Sequence, residues 1–505
     1  ASFSWNEKWF NLTGFYRTGH NSWGYEGDLF GLYPETNYGP NLDIYHGETM
    51  GFEMEGKKAI EGLKVAYGPQ LWWGANPSVL AKYSRKISIF DLTGIFQNDL
   101  DKNASTTSSI VIPLPKNRKA TLGIKTKLGN LGIELGGIWA GSPKNGQSFE
   151  LVDGTKGNYT VYTDKIQSKD NWGGKLKVTL QQGAINWYAQ GAAMGLVADG
   201  GADYTKTFTG WRLKDSGSGN QYNFLTGFTF TKGNFQIAPN FLWQKPIVGP
   251  VPAGAVDKTT GFAATPRVIT TDPFAVRVNR ETIAGELLLC YDPTPATWMW
   301  EWNNDEMEDA PLAASVDFVY RHLPTTQDAT IGFMANRTMF VFAGAPSAHD
   351  LWETNIRLVS KITQKLGLIA NLYGGTGQSN GTDERIVNRF GGDLRAIYNK
   401  VKLMGSVKVN DWGPYDYHRD YNLTYPLQLM ADLSTASGGP NWYGLPDTRI
   451  GIRCTWRSLN QYSPRYAPTY AVNAAGNWLP NPTALGFDNG KEWEIRTYVN
   501  FALGK

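Results

Sequence analysis

Residues 122–135 read LGIKTKLGNLGIEL, and this stretch is the strongest indication of the fold in the sequence. On each side of Gly129-Asn130, leucine and isoleucine recur at alternate positions, separated mostly by glycine, lysine and glutamate. Successive side chains of a β-strand point to opposite faces, so a period of two predicts strands with one apolar face and one polar face. A Gly-Asn pair between two such segments favours a tight hairpin turn. The stretch therefore predicts an amphipathic β-hairpin.

The same design recurs along the chain. Further paired segments with alternating apolar residues lie at 176–189, 222–241, 283–302, 352–372 and 394–409. Counted in this way, the sequence predicts an all-β, antiparallel, up-and-down sheet of about 18–22 strands, with 18 or 20 preferred and about ten residues in each strand. The stretch 82–118 fits either one strand or two, and the parity of the total depends on it.

Long connections alternate with the tight turns. The main ones are rich in Gly, Asp, Asn, Ser and Pro and lie at about 18–47, 141–171, 195–221, 244–280 and 458–491. In an up-and-down sheet the two kinds of connection fall at opposite ends. Short periplasmic turns and long extracellular loops are typical of transmembrane β-barrels. Because alternation begins near Phe10, the sequence leaves no room for an N-terminal plug domain.

Composition narrows the classes of protein that fit. The 505 residues show no Pro/Ser-rich linker or charge block, so a single domain over 1–505 is expected. Aromatic residues reach 13%, while charged residues fall to 18%, below the usual quarter. The formal net charge of +3 is too small to indicate a nucleic-acid partner. No run of 18 apolar residues exists, so a transmembrane helix is not expected.

Aromatic residues cluster near the predicted strand ends, where membrane proteins place amphipathic rings at the lipid–water interface. The alternative interpretation is that these aromatic rings pack in an ordinary protein core or form a surface on which carbohydrate stacks. The predicted aromatic girdle consists of Trp9, Trp72, Trp298, Trp300, Trp302 and Trp493. With such a girdle, the apolar stripes face lipid and the polar stripes face a wet lumen.

The last segment, 492–503, alternates Trp493, Ile495, Val499 and Phe501 with polar residues. It resembles the closing strand of the bacterial outer-membrane β-barrel porin superfamily, although it is followed by Gly504-Lys505 where many members end on the aromatic residue. The resemblance covers nearly the whole chain, but it lies in the general pattern of alternating strands, short turns and long loops, and no motif identifies a subfamily. It implies the outer membrane of a Gram-negative-type bacterium, contact with a lipid bilayer and lipopolysaccharide, and passive diffusion of small hydrophilic solutes. It also fits a homo-oligomer or a partner in an outer-membrane complex.

The residues opposite the apolar stripes are the candidates for lining the pore. They are Lys125, Lys127, Glu134, Lys175, Lys177, Arg389, Asp393, Arg395, Lys402, Lys408, Arg449, Arg453, Arg457, Glu492, Glu494 and Arg496. Their basic rows resemble the ladders of porins that conduct anionic solutes. The alternative is that Arg453 and Arg457 pair across strands with Glu492 and Glu494 and only stiffen the wall.

Loop and lumen aromatics provide a further hypothesis. Residues that could stack on sugar rings, and so favour saccharides, are Trp23, Tyr25, Trp172, Trp442 and Tyr443. They could equally pack loops against one another.

Signatures of catalysis are missing from the sequence. It contains no His-Glu-x-x-His, no phosphate-binding Gly-rich loop and no Gly-x-Ser-x-Gly elbow, so we expect neither an enzyme nor a cofactor or metal. Two other readings stay open. One is a non-transport barrel that serves as subunit or scaffold of an outer-membrane export or adhesion complex. The other is a secreted all-β glycoside hydrolase, which needs a pair of acids on neighbouring strands.

Overall fold

A computed structural model gives the structure of the chain. It describes residues 1–16, 29–30, 50–71, 76–101, 118–141, 148–155, 158–165, 168–195, 221–246, 256–257, 281–293, 310–322, 331–333, 339–341, 350–378, 386–411, 425–436, 448–460, 463, 470–472, 478–480 and 490–501.

The described residues form 28 strands and two short 3-10 helices, Lys58–Ile60 and Ser168–Asn171. In chain order the strands are β1 Ser2–Asn6, β2 Phe10–Tyr16, β3 Met50–Gly56, β4 Leu63–Gln70, β5 Ser78–Ile87, β6 Phe90–Asp99, β7 Arg118–Leu128, β8 Leu131–Gly141, β9 Ser148–Thr155, β10 Asn158–Lys165, β11 Trp172–Gln182, β12 Ile185–Met194, β13 Gln221–Lys232, β14 Phe235–Pro246, β15 Val256–Asp257, β16 Thr282–Tyr291, β17 Ala313–His322, β18 Ile331–Phe333, β19 Met339–Val341, β20 Leu351–Lys361, β21 Leu366–Gln378, β22 Ile386–Tyr398, β23 Val401–Asp411, β24 Tyr425–Ala436, β25 Thr448–Ser458, β26 Tyr470–Val472, β27 Trp478–Pro480 and β28 Lys491–Phe501.

One antiparallel sheet of 21 strands dominates the molecule. It runs in chain order from β1 to β28, and each neighbouring pair is antiparallel, so the predicted up-and-down topology is confirmed. The remaining strands form three small sheets, β9–β10–β15, β18–β19 and β26–β27. The count of 21 lies within the predicted range but is neither 18 nor 20. Closure of the sheet into a barrel and the lack of a plug stay predictions.

The predicted tight turns are confirmed at residues with left-handed backbone. Gly129 between β7 and β8 has φ +60°, Gly183 between β11 and β12 has φ +56°, and Asn399 between β22 and β23 has φ +51°. Glycine and asparagine adopt this region most readily, so these residues allow two-residue turns. The stretch 82–118 contains a further hairpin, because β5 and β6 meet at Ser88, with φ +56°.

Tight turns and long connections lie at opposite ends of the sheet. At one end, here called the tight-turn end, eight of the ten connections have six residues or fewer. At the other, the long-loop end, every connection has seven residues or more, and several exceed 25. The five predicted long connections all fall at the long-loop end. The exceptions at the tight-turn end are 292–312 and 437–447.

One predicted hairpin is wrong. The sequence pattern joins 283–291 to a strand carrying Trp298, Trp300 and Trp302, but both edges of β16 are taken by β14 and β17. β17 offers a longer alternating segment, with Val316, Phe318 and Tyr320 on its apolar face. Cross-strand pairing of such stripes stabilises a sheet, which accounts for the choice of β17.

Candidate functional site: the polar face of the sheet

The two faces of the main sheet are buried in the reverse of the usual order. On β13, Gln221 and Asn223 are buried, while their chain neighbours Tyr222 and Phe224 are exposed. On β17 and β20 the buried residues are likewise mostly polar and the exposed ones mostly apolar. On β16 the buried face is mixed, because Glu286 shares it with Ala284, Leu288 and Cys290. A sheet that folds in water places its apolar face inside. Since the main sheet forms a single layer in the described part of the chain, it buries its polar face by curving that face inward.

Aromatic residues mark both ends of the exposed apolar face. Of the predicted girdle, Trp9 lies at the tight-turn end, and Trp493 lies near the long-loop end with 73% of its surface exposed. Trp72, Trp298, Trp300 and Trp302 lie outside the described residues. On β14, Phe235 and Trp243 share this face and are separated by about 26 Å along the strand.

The structure adds two aromatic pairs to this face. Trp172 packs on Trp139 at the long-loop end with ring centroids 6.5 Å apart, and Phe235 packs on Tyr291 at the tight-turn end at 4.9 Å. Trp172, predicted to stack on sugar rings in the lumen or loops, is therefore an exposed residue of the apolar face. The other four aromatics of that hypothesis, Trp23, Tyr25, Trp442 and Tyr443, lie outside the described residues.

Charged residues of β25 and β28 form a compact cluster on the polar face. The buried guanidinium of Arg457 donates to Glu492 Oε1 at 2.7 Å and to Glu494 Oε2 at 3.0 Å. Arg496 forms an ion pair with Glu494 as well. For Arg457 the structure thus gives the cross-strand pairing that was the alternative to a basic ladder.

The other two arginines of the predicted ladder have different partners. Arg453 lies opposite Arg496, and its Nε donates to Asp432 Oδ2 on β24 at 2.9 Å. Sequence spacing did not predict this contact, because it does not fix the register of β24, β25 and β28. Arg449, at the tight-turn end of β25, donates to Ser434 Oγ at 2.9 Å.

A second cluster lies on β20, β21 and β22. Arg395 donates to Asp393 Oδ2 at 2.9 Å. Asn371 lies between Asp393 and Arg357, donating to the first at 3.3 Å and accepting from the second at 3.1 Å. Arg389 is buried on the same face, near the long-loop end. The chain therefore places opposite charges side by side on this wall.

The predicted lysine rows lie on the polar face at different depths. Lys125 contacts Glu134 across the β7–β8 hairpin at 3.4 Å. Lys127 is exposed beside the tight turn. The half-buried members of the predicted set are Lys175, Lys177, Lys402 and Lys408. Exposed ion pairs such as Lys125–Glu134 contribute little to stability.

The sequence analysis missed a group of acids on the same face. Glu286 on β16 accepts from Asn240 at 2.6 Å, and Glu353 on β20 pairs with Arg321 at 2.5 Å. Asp317 on β17 is buried between these strands. Each of these acids occupies a polar position in the alternating pattern of its strand, so the sequence pattern could have identified it as part of the polar face. In the described part of the chain, no group of three His, Cys, Asp or Glu side chains is placed to hold a metal ion.

Exposure of the polar face changes with depth on β7 and β8. Toward the long-loop end, Lys119 and Ile138 are each 1% exposed. Toward the tight-turn end, the side chains of Lys125 and Glu134 are 66% and 27% exposed. Along β7 and β8 the side chains of the polar face are therefore buried near the long loops and more exposed near the tight turns.

Comparison with known proteins adds matches among solved structures. No family model matches the chain, and no curated protein matches it. Among the described residues, no helix is long and apolar enough to cross a membrane. The chain is similar to the outer membrane protein OpdK of Pseudomonas aeruginosa, at 8% identity, TM-score 0.28 and coverage of 82% of this chain and 89% of that chain.

Two further solved structures show the same level of similarity. A multiple mutant of the Rh. blastica porin matches at 8% identity and TM-score 0.23, covering 72% of this chain and 86% of that chain. The FrpB iron transporter of Neisseria meningitidis matches at 10% identity and TM-score 0.32, covering 99% and 72%.

Proposed function

We propose that this chain is an outer-membrane channel through which small hydrophilic solutes diffuse passively. The observation that supports this proposal most strongly is the burial of the sheet's two faces. Polar side chains lie on the buried inward face and apolar side chains are exposed outside, which is the opposite of a sheet that folds in water. Water disfavours so large an apolar surface, whereas lipid accepts it. A continuous hydrogen-bonded sheet also pairs the backbone groups that lipid cannot solvate.

The dimensions of the strands support a membrane-spanning sheet. β7 and β8 have 11 residues each, and a tilted strand needs about 9–11 residues to cross a bilayer. Aromatic residues at both ends of the apolar face suit the two lipid–water interfaces. The sorting of tight turns and long loops supports the same orientation, with the long loops outside the cell.

The charges of the inward face suggest a weak preference for anions. Arg457, Arg453 and Arg395 are each paired with a carboxylate, so we assign them to the stiffness of the wall. Lys127 is exposed near the tight-turn end, where an entering ion passes it, and Lys125 beside it is in an exposed ion pair with Glu134. The field of an exposed lysine attracts anions while leaving small neutral solutes free to pass.

Planar-bilayer recording of the purified protein in a KCl gradient tests this proposal. We expect stable conductance steps and a reversal potential that indicates a mild preference for chloride. Protein that inserts but gives no conductance would contradict the channel. A preference for potassium would contradict the role of the lysines only.

A barrel that acts as a scaffold for an outer-membrane complex is the second candidate. The burial of Lys119 and Ile138 on the inward face supports it, since a scaffold needs no open interior. A scaffold of this kind inserts into bilayers without conducting. Purification of the natural protein in mild detergent would then yield a stoichiometric partner, which a simple channel lacks.

A further inference from the structure

Charged residues of opposite sign alternate across five neighbouring strands of the inward face. Asp91 on β6 lies directly opposite Lys86 on β5 and Lys125 on β7. Glu134 on β8 lies directly opposite Lys125 and Lys177, the latter on β11. These five residues form what we call the alternating-charge row. Neighbouring strands are about 4.8 Å apart, so the row extends over about 19 Å of the sheet.

Most neighbouring charges of the alternating-charge row do not form ion pairs. Lys125 contacts Glu134 at 3.4 Å. In the described part of the chain, Lys86, Asp91 and Lys177 have no ion-pair partner, although each lies directly opposite a charge of the other sign. Opposite charges that face each other across strands usually attract and stabilise a sheet. Three of the five charges in the row therefore contribute little to holding these strands together.

The row is open on the inward side of the sheet. Lys86 and Asp91 are exposed, and the side chain of Lys125 is 66% exposed. Gly123 and Gly132 lie next to the row on the same face and add no side chains there. A solute on the inward side can therefore reach these charges.

The charged cluster of β25 and β28 has a different character. Arg457 is buried and donates to both Glu492 and Glu494. The charges of that cluster satisfy one another, as expected of a structural element. The alternating-charge row is exposed and incompletely paired, which suits groups that bind a ligand.

We propose that the alternating-charge row binds zwitterionic solutes, with the ammonium group of the solute at Asp91 and its carboxylate at Lys86 or Lys125. This inference rests on the proposed channel function and names a solute class for it. An ion of one sign is attracted by one member of the row and repelled by the next, about 4.8 Å away across the strands. A solute that carries both signs at a similar separation forms charge-assisted hydrogen bonds at both of its ends.

Saturation-transfer NMR of the protein in detergent micelles detects binding without conduction. The probe is 4-aminobutanoate, and its controls are butanoate, which lacks the ammonium group, and butylammonium, which lacks the carboxylate. We expect the signal of 4-aminobutanoate to exceed that of either control at least about threefold, because each control can satisfy one sign of charge only. Asp91→Asn should reduce the signal to the level of butanoate. Glu61→Gln is the matched control, since it changes an exposed acid in the tight turn between β3 and β4, and should retain the signal.

Swelling of vesicles that contain the protein tests passage, with entry of neutral glycerol as the reference for each preparation. Relative to glycerol, we expect 4-aminobutanoate to enter at least about twofold faster through the wild type than through Asp91→Asn, because a weak binding site raises the local concentration of its solute. Equal NMR signals for 4-aminobutanoate and its controls, or an unchanged signal in Asp91→Asn, would overturn the inference even if the vesicles swell. The expected NMR signals from a protein whose vesicles admit no glycerol would contradict the channel function and leave the binding of zwitterions standing.

Discussion

Single side chains on the inward face divide into two groups by exposure. Buried arginines such as Arg457 satisfy buried or half-buried acids, and their removal leaves charge that the interior cannot solvate. Lys127 is exposed, and in the proposed channel it would act on passing ions through its field. We therefore expect the replacement of a cation by glutamine to lower stability in the first group and to change ion preference in the second.

Arg457→Gln should destabilise the protein by about 3–5 kcal/mol, because it leaves Glu492 and Glu494 without their shared partner. The midpoint of urea unfolding in lipid vesicles measures the loss. Arg118→Gln is the control, since Arg118 is exposed and donates to the neutral Asn98 at 2.8 Å. Equal midpoints for the two variants would refute a structural role for the Arg457 cluster.

Lys127→Gln should leave stability unchanged and reduce the chloride preference roughly twofold, because a unit charge about 8 Å from a passing ion contributes about 0.5 kcal/mol in water. The reversal potential in a KCl gradient measures the ratio of permeabilities. Lys365→Gln changes an exposed lysine in a tight turn at the same end and serves as control. A shift of the same size in both variants would show that the effect is not specific to the inward face.

Individual hairpins were the elements that sequence patterns predicted best, because turn and strands are neighbours in the chain. The β7–β8 hairpin matches residue for residue, with its turn at Gly129-Asn130. The partner of β16 was predicted wrongly, because its connection to β17 spans 292–312 and no short turn fixes the choice. Local chemistry specifies short hairpins, and long connections leave pairing to competition between strands.

Gly129→Ala should destabilise the protein by about 1 kcal/mol, since alanine at φ +60° crowds its own backbone although the space around Gly129 is open. Gly129→Asn should recover most of the loss, because asparagine tolerates this conformation. Gly285→Ala is the matched control: Gly285 also has open surroundings, and its φ is ordinary. Urea midpoints that fall equally for Gly129→Ala and Gly285→Ala would contradict the role of the turn conformation.

At the scale of the whole molecule, the two end strands raise the question of closure. In the described part of the chain, β1 pairs with β2 and β28 pairs with β25, and with 21 strands β1 and β28 run in the same direction. A membrane does not tolerate unpaired strand edges. Closure of this sheet on itself therefore requires a parallel seam between β1 and β28.

A closed barrel should resist detergent until it is heated. We expect the unheated protein to migrate faster in SDS electrophoresis than the boiled protein, because the compact barrel binds less detergent than the unfolded chain. Arg457→Gln should lower the temperature at which the slow band appears, and Arg118→Gln should not. Identical mobility before and after boiling would contradict closure.

The strands, the tight hairpins, the sorting of connections and the separation of the two faces could be predicted from the sequence. Those features depend on neighbouring residues and on a period of two, which any strand obeys. The contact of Arg453 with Asp432 and the pairing of β16 with β17 became known only from the folded chain. Strand register, the choice of pairing partner and the placement of loops depend on many small contacts between residues far apart in the chain, so they cannot be predicted from any single stretch of sequence.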